Sequence, residues 1–101
     1  MKIVAVTACP TGIAHTYMAA EQLQRVGKAL GYDVKVETQG ALGVEHRLSA
    51  LDIRDADAVI LAADIEIEDR ERFDAVPVIR VRVQDAIKDP KAVFAKVAAR
   101  R

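Results

Sequence analysis

The chain has 101 residues, 51% apolar and 30% charged, a balance that fits one globular domain and excludes a disordered chain. Fifteen basic residues cancel fifteen acidic ones, which removes the electrostatic case for a dedicated nucleic-acid binder. No apolar run is long enough to cross a bilayer, and the single cysteine, Cys9, excludes an intramolecular disulfide. Together these features point to a soluble protein of a reducing cytosol, with no direct membrane insertion.

Ile3–Val6 is a continuous apolar run, the mark of a first strand buried on both faces. Ala19, Leu23, Val26 and Leu30 then recur at helical spacing, and Gly31 follows as a C-cap. Asp33–Thr38 alternates, Val34 and Val36 against Asp33, Lys35 and Glu37, which predicts a half-exposed second strand. Ser49 and Asp52 have capping-box spacing for a short helix through about Asp55. The wholly apolar Ala58–Ala63 gives a third strand, and Asp69–Phe73 suits one helical turn or two. Over Val76–Val83, Ile79, Val81 and Val83 alternate with Arg80 and Arg82 in a fourth strand, with Pro77 tolerated at an edge or a strand start. Asp89-Pro90 caps a last helix whose buried face is Val93, Phe94 and Val97.

Strands alternating with helices predict an α/β fold: an open four-stranded parallel sheet in the order 2-1-3-4, Rossmann-like, with helices on both faces. In such sheets ligands bind outside the carboxyl ends of the strands, where the winding reverses. Here that place lies between the first and third strands. The loop after the first strand is the expected site.

That loop reads Thr7-Ala8-Cys9-Pro10-Thr11-Gly12-Ile13-Ala14-His15-Thr16. Cys9 at a strand end would face backbone N–H groups and a positive helix terminus, both of which favour a thiolate. The same N–H groups can cradle phosphoryl oxygens. Pro10 directs the chain into a turn, Gly12 permits a positive φ, Thr11 and Thr16 add hydroxyls, and His15 adds a potential cation. A lone cysteine in an apolar domain is most often a small buried hydrophobe. The Pro, the Gly and the polar helix start that follow Cys9 reverse that reading. Spacing reaches a nucleophilic or phosphate-binding thiolate and does not choose the reaction.

The run TACPTGIAHTYMAAE, with KVETQG at Lys35–Gly40 and DAVILAAD at Asp57–Asp64, resembles the fructose-type enzyme IIB domain of the bacterial phosphoenolpyruvate-dependent sugar phosphotransferase system. The resemblance covers nearly the whole chain as one domain, residues 1–101. It implies a cytoplasmic phosphocarrier whose Cys9 accepts phosphate from a phosphohistidine on the cognate IIA domain. The phosphate then passes to fructose, or a related sugar, bound by the membrane IIC domain. Pro10, Thr11, Gly12, Ile13, Ala14, His15 and Thr16 become its phosphate-binding loop. Two positions depart from the family pattern: His46, where asparagine is expected, and Ala75, where a Gly-Lys pair is common.

Low-molecular-weight phosphotyrosine phosphatases use a similar loop, a cysteine and then, after five intervening residues, an arginine, where this chain has His15. Without arginine's bidentate fork, hydrolysis should be disfavoured and transfer to an acceptor favoured. A small cysteine phosphatase, an arsenate-reductase-like thiol enzyme and a regulatory binding module are the competing readings. Tyr17, Gln39, Gly40 and Asp64 are expected on the same rim, as partner contacts or as ordinary turn and cap residues. The Glu66–Arg72 charge run reads as a solvated face. No metal-ligand spacing and no GxGxxG or Walker-type loop occurs, so neither a metal nor a nucleotide cofactor is expected.

Overall fold

The apolar run at the start of the chain forms β1, Lys2–Ala8, in which every side chain from Ile3 onward is buried. The computed structural model describes residues 1–10 and 13–100, so the expectations for Thr11 and Gly12 lie outside the described residues. β2 (Asp33–Gly40) pairs with β1 in parallel, Lys2 opposite Asp33 through Ala8 opposite Gln39. On the other side of β1 lies β4 (Ala58–Ala63), also parallel, with Ala8 opposite Ala63. β5 (Val78–Val81) closes that edge and begins directly after Pro77, the strand start that proline tolerates.

The parallel strands therefore run in the order the sequence predicts. The sheet has five strands, however, and the expectation of four is corrected. Gly43–Glu45 forms β3, antiparallel to β2, with Gly40 opposite Gly43 and Thr38 opposite Glu45. The chain reverses through Ala41 and Leu42, and Gly43 takes φ +89°, a left-handed conformation that glycine adopts without steric cost. Thr38-Gln39-Gly40 is thus strand and not turn, and Glu37, Thr38 and Gln39 are buried and not half-exposed.

One face of the sheet is covered by α1 (Ile13–Ala29), α3 (Val83–Lys88) and α4 (Pro90–Ala99). Ala19, Leu23 and Val26 of the predicted stripe are buried there, with Val93, Phe94 and Val97 of α4. Leu30 is 45% exposed, because α1 has already ended. Gly31 N donates to the Lys28 carbonyl and Tyr32 N to that of Gly27, with Gly31 at φ +84°, a Schellman C-cap.

The opposite face carries α2 (Ala50–Arg54) and a 3₁₀ turn, Arg70–Phe73, which bury Ile53 and Phe73 against Val4, Val6, Val59 and Leu61. The Ser49–Asp52 capping box and the Asp89 N-cap both form. The fourth strand stops at Val81 instead of Val83, and a short helix that alternation did not announce takes over. Its start is fixed by Asp85 Oδ2 accepting from Arg82 N at 3.0 Å and Asp64 Oδ1 accepting from Val83 N at 3.1 Å.

His46 has φ +53°, in the left-handed region that asparagine enters more readily than histidine. His46 thus occupies a strained backbone position. His46→Asn is expected to raise folding stability by roughly half a kcal/mol, read as a higher urea midpoint at unchanged slope.

Candidate functional site

The strand order reverses between β1 and β4, and the chain leaves β1 at that point through Cys9. Asp64 N donates to the Ala8 carbonyl at 3.1 Å, so the ladder continues to the base of the cysteine turn. Cys9 is 7% exposed and belongs with Ala19, Ala20 and Leu23 to the cluster beneath α1. Pro10 is exposed. α1 opens at Ile13, and the amides of Ile13, Ala14 and His15 in its first turn have no acceptor within the helix. They form the positive end of a 17-residue helix on the same sheet face as Cys9.

Within that turn Ala14 and His15 are exposed, while Thr16 is buried. The Thr16 hydroxyl is enclosed and has no hydrogen-bond partner among the described residues, a costly state for a polar atom unless something arrives to bond it. Thr38 Oγ1 shares this condition. Gly40 brings β2 up to the same turn: a Cβ there would meet Thr16 Cγ2 and Oγ1 at 3.7 Å. Beneath them Thr7 Oγ1 donates to the Thr16 carbonyl at 3.0 Å. The arrangement can hold an anion: helix amides, a spare hydroxyl and a cysteine meet at the carboxyl ends of parallel strands.

The predicted rim residues divide. Gly40 contacts the site, and Tyr17 donates its hydroxyl to Glu45 Oε1, which ties the first turn of α1 to β3. Gln39 turns inward, giving Nε2 to Glu37 Oε2 at 2.7 Å and accepting from Glu68 N at 2.8 Å through Oε1. Asp64 flanks the cysteine turn but spends Oδ1 on the first amide of α3, a capping role.

Sequence reasoning misses the network behind this rim. Arg72 does not belong to a solvated face: its Nη1 and Nη2 bond Glu37 Oε1 and Oε2 at 3.0 and 2.9 Å. Glu37 is fully enclosed and also accepts from Leu48 N at 2.9 Å. Burial pushes the Glu37 carboxyl up, but the Arg72 guanidinium, Gln39 and the Leu48 amide outweigh it and hold the group below its ordinary value. One carboxylate thereby joins β2, the β3–α2 connection and the 3₁₀ turn. The signal available was weak: a Glu in a buried strand needs a cation, and seven arginines in the chain's second half could each offer one.

Among the described residues no group of three or more His, Cys, Asp or Glu side chains is placed to hold a metal ion. No helix among them is long and apolar enough to cross a membrane.

Comparison with known proteins matches residues 4–96 to the family described as "PTS system, Lactose/Cellobiose specific IIB subunit". The "PTS system fructose-like EIIB component 2" of Escherichia coli K12 is 53% identical over 98 residues, 97% of this chain and 92% of that protein. The crystal structure of a domain from the fructose-specific IIABC component of Borrelia burgdorferi superposes with a TM-score of 0.91 at 44% identity, over 95% of this chain and 91% of that one. An arsenate reductase in its phosphate-binding state, 13% identical, shares the fold with a TM-score of 0.57 over 98% of both chains.

Proposed function

The chain belongs to the PTS-system IIB subunit family, and from that premise we propose that it carries phosphate on Cys9 between a IIA domain and a sugar held by a membrane IIC domain. The relatives' names make the transporter fructose-type and the chain one of its phosphocarrier components. The IIABC form of the Borrelia burgdorferi protein supports a IIA donor and a IIC acceptor as partners, and a carrier working between them would act on the cytoplasmic side of the membrane component. The observation that carries the finer reading is the position of Cys9: directly beyond β1, at the winding reversal, on the sheet face that α1 covers.

The chemistry is two in-line displacements. In the first, the Cys9 thiolate attacks the phosphorus of the donor phosphohistidine; the S–P bond forms, the P–N bond breaks, and its electron pair returns to the imidazole. In the second, a sugar hydroxyl attacks the phosphocysteine, the thiolate leaves, and the hydroxyl proton passes to a base on the acceptor side. The amides of residues 13–15 and the Thr16 hydroxyl would spread charge from the equatorial oxygens. The phosphate contacts of Pro10, Thr11, Gly12 and Ile13 belong to the same proposal. His15 supplies at most one donor where a phosphatase loop has a bidentate arginine, which favours handing the group on over losing it to water.

The test is intact-mass measurement after incubation with phosphoenolpyruvate, the general phosphotransferase proteins and a fructose-type IIA domain. One phosphate on the parent and none on Cys9→Ser is the expected result. An unmodified parent beside a phosphorylated IIA domain would end the carrier reading, and continuous release of inorganic phosphate through Cys9 would replace it with a phosphatase.

A further inference from the structure

The hydroxyl of Thr7 stands where packing has no use for it. Thr7 is fully enclosed in β1, beside Ala62 of β4 and on the same sheet face as Ala5, and valine would fill its volume equally well. What the hydroxyl adds is one bond, to the Thr16 carbonyl at 3.0 Å, between residues nine apart. The two ends of that bond bracket the cysteine loop: one belongs to the strand that delivers Cys9, the other to the first turn of the helix that faces it. The helix already offers the Thr16 carbonyl the amide four residues on, so the bond from Thr7 is additional to helix formation.

We infer that Thr7 is a positioning residue that closes the base of the phosphate loop. Its hydroxyl fixes the first turn of α1 against β1, so that the turn's amides and the unpartnered Thr16 hydroxyl keep their places relative to the Cys9 sulfur. The inference rests on the carrier reading of Cys9. Phosphoryl transfer draws its rate from placement, and a displacement of about 1 Å is enough for a loss on the order of a hundredfold. Thr7 never touches the phosphate. It holds the residues that do.

The experiment compares the parent with Thr7→Val, which keeps the shape, and Thr7→Ser, which keeps the hydroxyl. Single-turnover phosphorylation by a phosphorylated IIA domain is followed by mass over a range of IIA concentrations, and alkylation of Cys9 by iodoacetamide is timed alongside. Thr7→Val should lower the maximal transfer rate about tenfold at an unchanged half-saturating IIA concentration, with Thr7→Ser within about twofold of the parent. Transfer by Thr7→Val at the parental rate overturns the inference, and so does a Thr7→Ser as slow as Thr7→Val. If Thr7→Val does not fold, Thr7→Ala takes its place under the same criteria. A parent that accepts no phosphate defeats the carrier reading alone. The alkylation rates then decide for Thr7: a change of about threefold or more in the valine variant, reversed by serine, upholds the loop closure, and equal rates refute it.

Discussion

Replacing Arg72 with methionine is expected to remove about 3–5 kcal/mol of folding stability, the loss typical when one partner of a buried ion pair is taken away. Arg72 is 16% exposed and Glu37 not at all, so the substitution strands a carboxylate with no route to water. Gln39 and the Leu48 amide would remain as its donors, and neither carries charge. A domain of this size holds only about 5–15 kcal/mol in total, so the urea midpoint at pH 7 should fall by a large fraction. The double variant Glu37→Gln, Arg72→Met should recover most of the loss, since both charges are then gone. A cost below about 1 kcal/mol would mean that the pair behaves as an exposed one.

The same pair sets an acid limb. The Glu37 carboxyl lies below its ordinary value of 4.5 in the folded protein, so its contribution is fully present above that value. It is lost as pH falls through the lower, folded value. Without the guanidinium, burial acts with less opposition and the carboxyl of the methionine variant takes its proton more readily in the folded state. The stability gap between parent and Arg72→Met should therefore narrow as pH drops below about 4.5. A gap that stays constant down to pH 3 would detach Glu37 from the acid transition.

Gly27→Ala should destabilise by about 1–3 kcal/mol, against the sign that helix propensity gives. In an open helix the exchange is favourable by about 1 kcal/mol. Here an added Cβ would lie 2.4 Å from Val34 Cγ2 and 3.0 Å from Phe94 Cζ, where α1 crosses β2 and α4. Val34 is β-branched and confined in its rotamers, so it cannot swing aside cheaply. Relief is expected from Val34→Ala in the same chain, which makes the pair non-additive in a double-mutant cycle. Thermal or urea unfolding of the four proteins gives the answer, and additive losses would place the strain elsewhere.

Periodicity read what is local and regular. Ile3–Val6 and Ala58–Ala63 are apolar on both faces and became two neighbouring interior strands, and that fixed the reversal point and the location of Cys9. Ser49 with Asp52 and Asp89 with Pro90 announce their helices because a cap is chemistry between near neighbours. What escaped is either short or distant. β3 is three residues long, too brief for alternation to register, and its turn contains neither Asn-Gly nor Asp-Gly. Arg82 and Val83 extend the strand pattern past its true end at Val81, where Asp64 and Asp85 start a helix instead. Glu37 alternates with Val36 as a solvent-facing residue would, and only an arginine 35 positions away reveals that it is buried. In the site, the cysteine turn was legible from its Pro and its helix. The inward turn of Gln39 and the bond from Thr7 were not, because both depend on partners supplied by other elements.

The central place of β1 also bears on how the domain is made. The strand that leads into Cys9 is synthesised before the other strands of its sheet, yet it is flanked on both sides in the finished sheet, and its β4 neighbour ends only at Ala63. At about 5–20 residues per second, roughly 3–10 s separate synthesis of the two. Through that interval one edge of an apolar strand stays open, and the two strands that flank the Cys9 turn cannot both be in place. The thiol is therefore made before its surroundings, and the complete turn is a late event of vectorial synthesis.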